Sequence, residues 1–111
     1  MNTSELTQYL GTPEAARALG FLYPGGQNGV EAQVERYRAL LARHAWLFGE
    51  RERVLFASAP GRTGIAGNHT DHNHGRVLAA AINLDTVAVA SSRDDLTVTL
   101  YSEGYEKPFV V

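Results

Sequence analysis

The sequence predicts an α+β fold, with N-terminal helices packed beside an antiparallel or mixed sheet. Three observations predict it. In the first half apolar residues recur every three or four positions, as on one face of a helix. In the second half they form short runs and alternations, as in strands. Between two of those runs lies a polar, glycine-punctuated segment over 60–75, the kind of loop a strand scaffold presents.

The helical half is read in order. Ser4 is placed as the cap of a short first helix that ends at Gly11. Thr12-Pro13-Glu14 opens a second: Thr12 accepts an orphan amide, Pro13 suits the first helical position, and Glu14 favours the positive end of the helix dipole. Gly20 is its expected stop. Tyr23-Pro24-Gly25-Gly26-Gln27-Asn28-Gly29 reads as a loop, with Asn28 and Glu31 as a capping box for the longest helix. That helix is expected over Val30–Phe48. Its apolar stripe is Val30, Val34, Tyr37, Leu41, Ala45 and Phe48, and Gly49 ends it. Tyr37 and Trp46 are expected in the core, and Arg36, Arg38 and Arg43 on a solvated face.

In the strand half, Val54–Ser58 is a short apolar strand that stops at Pro60-Gly61. Val77–Ile82 is an apolar run whose state the pattern leaves open, and Asp85–Ala90 reads as a strand. Leu96–Tyr101 alternates Leu96, Val98 and Leu100 with Thr97, Thr99 and Tyr101, which predicts a strand with one face buried and the other wet or packed on a helix. Arg93-Asp94-Asp95 is expected to turn a hairpin between the last two strands. The apolar ending Pro108–Val111 reads as a strand cut short. Residues 1–50 are thus mainly helical and 51–111 mainly strand, and 1–111 is expected to be part of a longer N-terminal domain.

Composition narrows the function classes. Of 111 residues 44% are apolar and 20% charged, which suits one globular unit. Ten Lys and Arg against twelve Asp and Glu leave a net charge of −2, so there is no basic excess for a nucleic-acid backbone. No cysteine is present, which excludes disulfides and thiolate metal sites and permits a reducing compartment. No signal peptide is legible, and no apolar run reaches the ~20 residues that span a bilayer, so no membrane role is expected.

The chemistry-bearing residues concentrate in Ala59–Gly75. Arg62, Asn68, His69, Asp71, His72, Asn73 and His74 crowd this segment, and Gly61, Gly64, Gly67 and Gly75 permit tight turns and close approach. Three readings of it stay open. A small polyhydroxylated ligand could be held by Asp71, His69 and Asn68, with Arg62 near a transferring anion, since a carboxylate accepts from two hydroxyls at once. A divalent metal could be bound by His69, Asp71, His72 and His74, although neither a strand nor a helix period aligns them. The segment could be only a polar turn, with Asp71 bonding its own backbone and Arg62 paired to Asp71 or Asp85. Gly61-x-x-Gly64-x-x-Gly67 is neither a dinucleotide fingerprint nor a Walker loop.

Gly61-Arg62-x-x-x-x-Gly67-x-His69-x-Asp71, followed by Asn73, Gly75 and Val77-Leu78, resembles the galactokinase signature Gly-Arg-x-Asn-Leu/Ile/Val-Ile-Gly-Glu/Asp-His-x-Asp-Tyr. Galactokinases belong to the GHMP kinases. Gly64, Ala66, Asn68 and His72 depart from the pattern, and the loop is most similar to a bacterial branch reading Gly-Asn-His-Thr-Asp-His-Asn. The resemblance implies a cytoplasmic enzyme that moves the γ-phosphate of ATP, with magnesium, to the anomeric hydroxyl of galactose. It implies a catalytic role for Arg62 and sugar-binding roles for Asn68, His69 and Asp71. No metal ligand among the 111 residues is implied, and His72 and His74 are expected to be solvated. Asn68 forgoes the charge assistance a carboxylate gives to such bonds. Another GHMP sugar kinase, or a non-catalytic galactose sensor, are the alternatives. The family's Ser-rich ATP loop and later catalytic aspartate have no match here, so these residues alone are expected to be inactive and to bind neither ATP nor magnesium.

The apolar end and the unpaired strand edges lead us to expect residues 1–111 to self-associate when isolated. Sedimentation at several concentrations checks this: the average mass should rise with concentration, whereas a stable monomer with a cooperative melt would contradict it.

Overall fold

The structure is a computed structural model and describes residues 1–23, 25–66 and 78–111. Three helices come first: α1 (Thr3–Tyr9), α2 (Pro13–Leu22) and α3 (Gly26–Phe48). Four strands follow: β1 (Val54–Ala66), β2 (Leu78–Ser91), β3 (Thr99–Leu100) and β4 (Phe109–Val110). β1 and β2 form one antiparallel pair, and β3 and β4 another. The α+β arrangement, with N-terminal helices beside a small antiparallel sheet, is therefore present.

Local chemistry explains the helix starts. Asn2 caps α1 by accepting from the Glu5 amide at 2.8 Å, while the Glu5 carboxylate accepts from the Asn2 amide at 3.2 Å. This reciprocal box displaces Ser4 from the expected capping role. Ser4 instead donates from its hydroxyl and amide to Glu50, at 2.8 and 3.0 Å. With Thr3 N–H on the Arg51 carbonyl and Val54 N–H on the Met1 carbonyl, these bonds pin the N-terminus to the α3–β1 connection. Thr12 caps α2 as expected, with Pro13 at the first position. Gly20 does not stop α2. It stays helical, and the Tyr23 amide closes the helix on the Leu19 carbonyl.

α3 begins four residues earlier than expected, at Gly26 behind Gly25, so Asn28 is inside the helix and not its cap. Gly49 ends it at φ +76°, a conformation that favours glycine. The buried stripe on α3 is Tyr37, Leu41 and His44, with Val30 and Val34 packed beside it. Leu41, 1% exposed, is its centre. Trp46 is 75% exposed, outside the core, with the Arg43 guanidinium 4.9 Å from its ring centre.

β1 and β2 are longer than expected. β1 runs through Pro60-Gly61 to Ala66, and the undecided apolar run joins Asp85–Ala90 in one strand. Pairs Val54–Ser91, Phe56–Val89, Ser58–Val87 and Pro60–Asp85 put one face of the hairpin against α3. Val54, Phe56, Val87 and Val89 join Leu6, Leu10, Leu19, Tyr37 and Leu41 in one cluster. Leu55 and its neighbours on the other face are exposed.

Leu96–Tyr101 is corrected twice. Only Thr99 and Leu100 are strand, and neither face is buried: Leu96 is 102% exposed while Thr97 and Thr99 are only partly covered. Alternation sets which residues share a face but not which face finds a partner. Arg93–Asp95 does not join β2 to β3 as a hairpin, because β3 pairs with β4 through Thr99–Val110 and Leu100–Phe109. Arg93 and Asp95 instead form a local ion pair at 2.8 Å.

His44 is 4% exposed. Its Nε2 lies 3.0 Å from Ser91 Oγ, and its Nδ1 has no partner among the described residues. Burial, and then the charge of Arg51, push its pKa below the usual 6.5. An unfolded chain therefore takes up a proton below pH 6.5 that the folded chain resists. This contribution to stability is complete above the unfolded value and is lost as the pH falls through the lower folded one. His44→Gln keeps a polar partner for Ser91 and does not titrate. Urea unfolding from pH 7 to 5 should show a shallower loss in the variant, by at most about 1.4 kcal/mol per pH unit; parallel curves would contradict it.

Candidate functional site

The candidate site lies at the end of the β1–β2 hairpin that carries the 60–75 segment. Of the four residues singled out from the sequence, Arg62 is described. Asn68, His69 and Asp71 lie outside the described residues, as do His72 and His74. Arg62 sits in β1 opposite Ala81, with its side chain exposed. No ion pair is formed by Arg62 among the described residues. Asp85, one of the two carboxylates expected for a structural pair with it, is taken by Arg36.

Two register shifts shape this end of the hairpin. Pro60 pairs with Asp85 and Arg62 with Ala81, so residues 82–84 of β2 stand opposite Gly61 alone. Gly64 pairs with Ala79 and Ala66 with Leu78, which leaves Ile65 as the extra residue on β1. Bulges of this kind bend a strand and re-aim its side chains, and they concentrate near functional sites. Arg62 lies between the two.

A cluster of polar side chains anchors the first bulge. The Asp85 side chain is 9% exposed and takes hydrogen bonds from three elements. Tyr23, at the end of α2, donates its hydroxyl to Oδ2, and so does Ser58 of β1. Arg36 of α3 donates to Oδ1 at 2.7 Å, and its other terminal nitrogen reaches the Asp85 backbone carbonyl at 3.1 Å. Tyr37 extends the chain: its hydroxyl is 2.8 Å from that of Tyr23. Since Tyr23 has a single O–H and spends it on Asp85, Tyr37 is the donor in that pair.

The electrostatics follow. Burial alone pushes the Asp85 carboxyl up, but donation from Ser58, Tyr23 and Arg36 outweighs it and holds the pKa at about 2. The bond to Asp85 holds the Arg36 guanidinium more firmly protonated, against a smaller cost of burial. Burial, and then the bond to Tyr23, push the Tyr37 phenol well up. All three groups keep their ordinary charge at neutral pH. Arg36 lies on the exposed face of α3 as expected, with its side chain 40% exposed, but its head is bound to Asp85, while Arg38 and Glu35 make only an exposed contact at 3.6 Å. The sequence signal for Arg36 was its phase on α3, one position from the buried Tyr37, but nothing local named Asp85 as its partner.

Among the described residues no group of three or more His, Asp or Glu could hold a metal ion, and no helix is long and apolar enough to cross a membrane. The metal reading of His69, Asp71, His72 and His74 falls on residues outside the described ones.

Comparison with known proteins places this hairpin in a family. The galactokinase galactose-binding signature matches residues 42–92, which takes in the end of α3, β1, the 67–77 segment and β2. A galactokinase of Lactococcus lactis subsp. cremoris is 40% identical over 73 residues, covering 66% of this chain and 18% of that protein. One from Bacillus subtilis is 41% identical over 61 residues, 55% of this chain and 16% of its own length. One from Staphylococcus carnosus is 50% identical over 60 residues, 54% of this chain and 15% of its own. The chain thus matches less than a fifth of the length of these relatives. No solved structure matches. With the signature on the hairpin and the relatives agreeing over the same stretch, the chain carries the galactose-binding signature of galactokinases and is similar to them over that stretch.

Proposed function

We propose that residues 1–111 supply the sugar side of a galactokinase, which transfers the γ-phosphate of ATP to the anomeric hydroxyl of galactose. One observation carries this reading: the run Gly61-Arg62-x-x-x-x-Gly67-x-His69-x-Asp71 lies within the segment matched by the galactose-binding signature. The position of Arg62 supports it. An exposed arginine on a strand, between two bulges, is held by a scaffold yet open to a ligand.

In this reading Asp71 accepts from sugar hydroxyls, and His69 and Asn68 complete their hydrogen bonding. Arg62 stands beside the hydroxyl that is phosphorylated. Its charge is worth more as the oxygen becomes anionic than in the ground state, so it favours the transition state. Phosphoryl transfer asks a protein chiefly for placement and charge, and these residues supply both for the acceptor. The 111 residues contain no Ser-rich phosphate loop, and among the described residues no group of three or more His, Asp or Glu could hold a metal ion. Residues 1–111 alone should give no ATP-dependent phosphorylation of galactose above buffer in a coupled assay.

In the whole protein, Arg62→Ala should lower kcat by about 10²–10³ while the galactose KM changes little, as for loss of one transition-state donor. Asp71→Ala should instead raise the galactose KM about tenfold or more, because it leaves sugar hydroxyls unpaired. Steady-state kinetics with galactose varied at saturating ATP decide. Near-normal kcat in Arg62→Ala removes Arg62 from the chemistry, and a wild-type protein that does not phosphorylate galactose removes the reading.

A further inference from the structure

We infer that Asp85 is a positioning residue for the sugar site, acting through the bulge that sets Arg62 in place. The part of this that concerns catalysis rests on the galactokinase reading. Asp85 is the last residue of β2 in register before the shift, opposite Pro60, and Arg62 pairs again only at Ala81. Three residues facing one are a weak point in a ladder, because their backbone groups have lost regular partners. The geometry at Asp85 compensates on the near side of that point. Its carbonyl is taken up by Arg36 at 3.1 Å, its Oδ1 by the same guanidinium at 2.7 Å, and its Oδ2 by Ser58 and Tyr23.

The donors come from elements that must agree on one position. Ser58 belongs to the opposite strand, two residues before Pro60. Arg36 belongs to α3, which packs on the hairpin face through Tyr37, whose ring centre is 4.8 Å from that of Phe56. Tyr23 closes α2 and meets the Tyr37 ring edge-on at 6.2 Å. The carboxylate therefore ties β2 to β1, α3 and α2 at the base of the bulged end. A guanidinium fixed on both a carboxylate and a carbonyl sets the direction of that backbone, which one ionic contact would not. What is held there is the stem from which Gly61 and Arg62 project.

Arg36 and Asp85 could instead be one more tie between helix and sheet, with no bearing on Arg62. The two roles differ in where their loss is felt. A general tie raises opening everywhere in proportion to lost stability. A positioning residue raises it first on the bulged stem.

The test compares three variants of the whole protein with wild type by amide hydrogen exchange and steady-state kinetics. Asp85→Asn removes the charge. Ser58→Ala removes one donor and is the mild variant, should Asp85→Asn fold poorly. Leu41→Ala, far along α3 in the centre of the core, is the stability control. Asp85→Asn, and Ser58→Ala more weakly, should raise exchange over 61–66 by about tenfold while α1 amides stay within about twofold. Both should lower kcat for galactose with little change in the ATP KM. Leu41→Ala should raise exchange across α3 and the hairpin without favouring 61–66. Equal exchange over 61–66 in Asp85→Asn and Leu41→Ala, or none beyond wild type in both Asp85→Asn and Ser58→Ala, overturns the proposal. If wild-type protein does not phosphorylate galactose, the functional reading falls while the exchange comparison still decides the positioning role.

Discussion

A carboxylate that loses most of its water must find its donors in the protein, or it will not stay charged. Asp85 finds them on β1, α3 and the end of α2, and that requirement organises the helix–sheet contact. Burying an unpaired charge costs far more than such a pair returns in net stability, so the ion pair with Arg36 says little about how stable the chain is. It says more about geometry. Only one relative placement of α2, α3 and the hairpin brings Tyr23, Ser58 and Arg36 to the same two oxygens. The apolar cluster of Tyr37, Leu41, Val54 and their neighbours supplies the driving force for that contact, and the polar cluster selects its register.

The same division of labour runs along the hairpin. Near its base, regular alternation turns Val54, Phe56, Val87 and Val89 toward α3. Toward its far end the ladder slips twice. A strand pair that is well packed at one end and bulged at the other suits a binding loop: the core end supplies rigidity, and the bulged end frees side chains for a ligand. Arg62 stands where the two regimes meet. The match to the galactose-binding signature gives this arrangement a chemical meaning, because it spans both strands of the hairpin and the 67–77 segment between them.

The exposed apolar residues are distributed with equal regularity. Leu55 and Leu84 lie on the hairpin away from the α3 contact, and Leu96, Val98, Val110 and Val111 crowd the β3–β4 ribbon. Phe48 touches Tyr101 edge-on, with ring centres 5.6 Å apart, and ties that ribbon to the end of α3. Short strands with apolar side chains facing water contribute little to a core of their own. Among the described residues the buried apolar cluster thus lies in the helices and the first half of the hairpin.

Much of this was legible in the sequence, and the failures have physical reasons. Composition and periodicity alone determined the α+β class, the Thr12-Pro13 start of α2, the length of α3 beyond Val30, its stop at Gly49, and the strand content after Val54. These depend on local sterics and on the period of the apolar residues. The signature around Arg62 was also legible, because a motif is a local pattern. Ser4 and Gly20 misled because a neighbouring group competed for the same job: Asn2 caps α1, and the Tyr23 amide lets α2 run past the glycine. Leu96–Tyr101 misled because alternation says which residues share a face, and only a partner says which face is buried. Tertiary structure alone decided that β3 pairs with β4, that β1 continues through Pro60-Gly61 with its register shifted, and that Arg36 serves Asp85 from 49 residues away. A contact over that separation leaves no local trace, since its donor and acceptor are each ordinary in their own segment and become a pair only when the core brings α3 onto the hairpin.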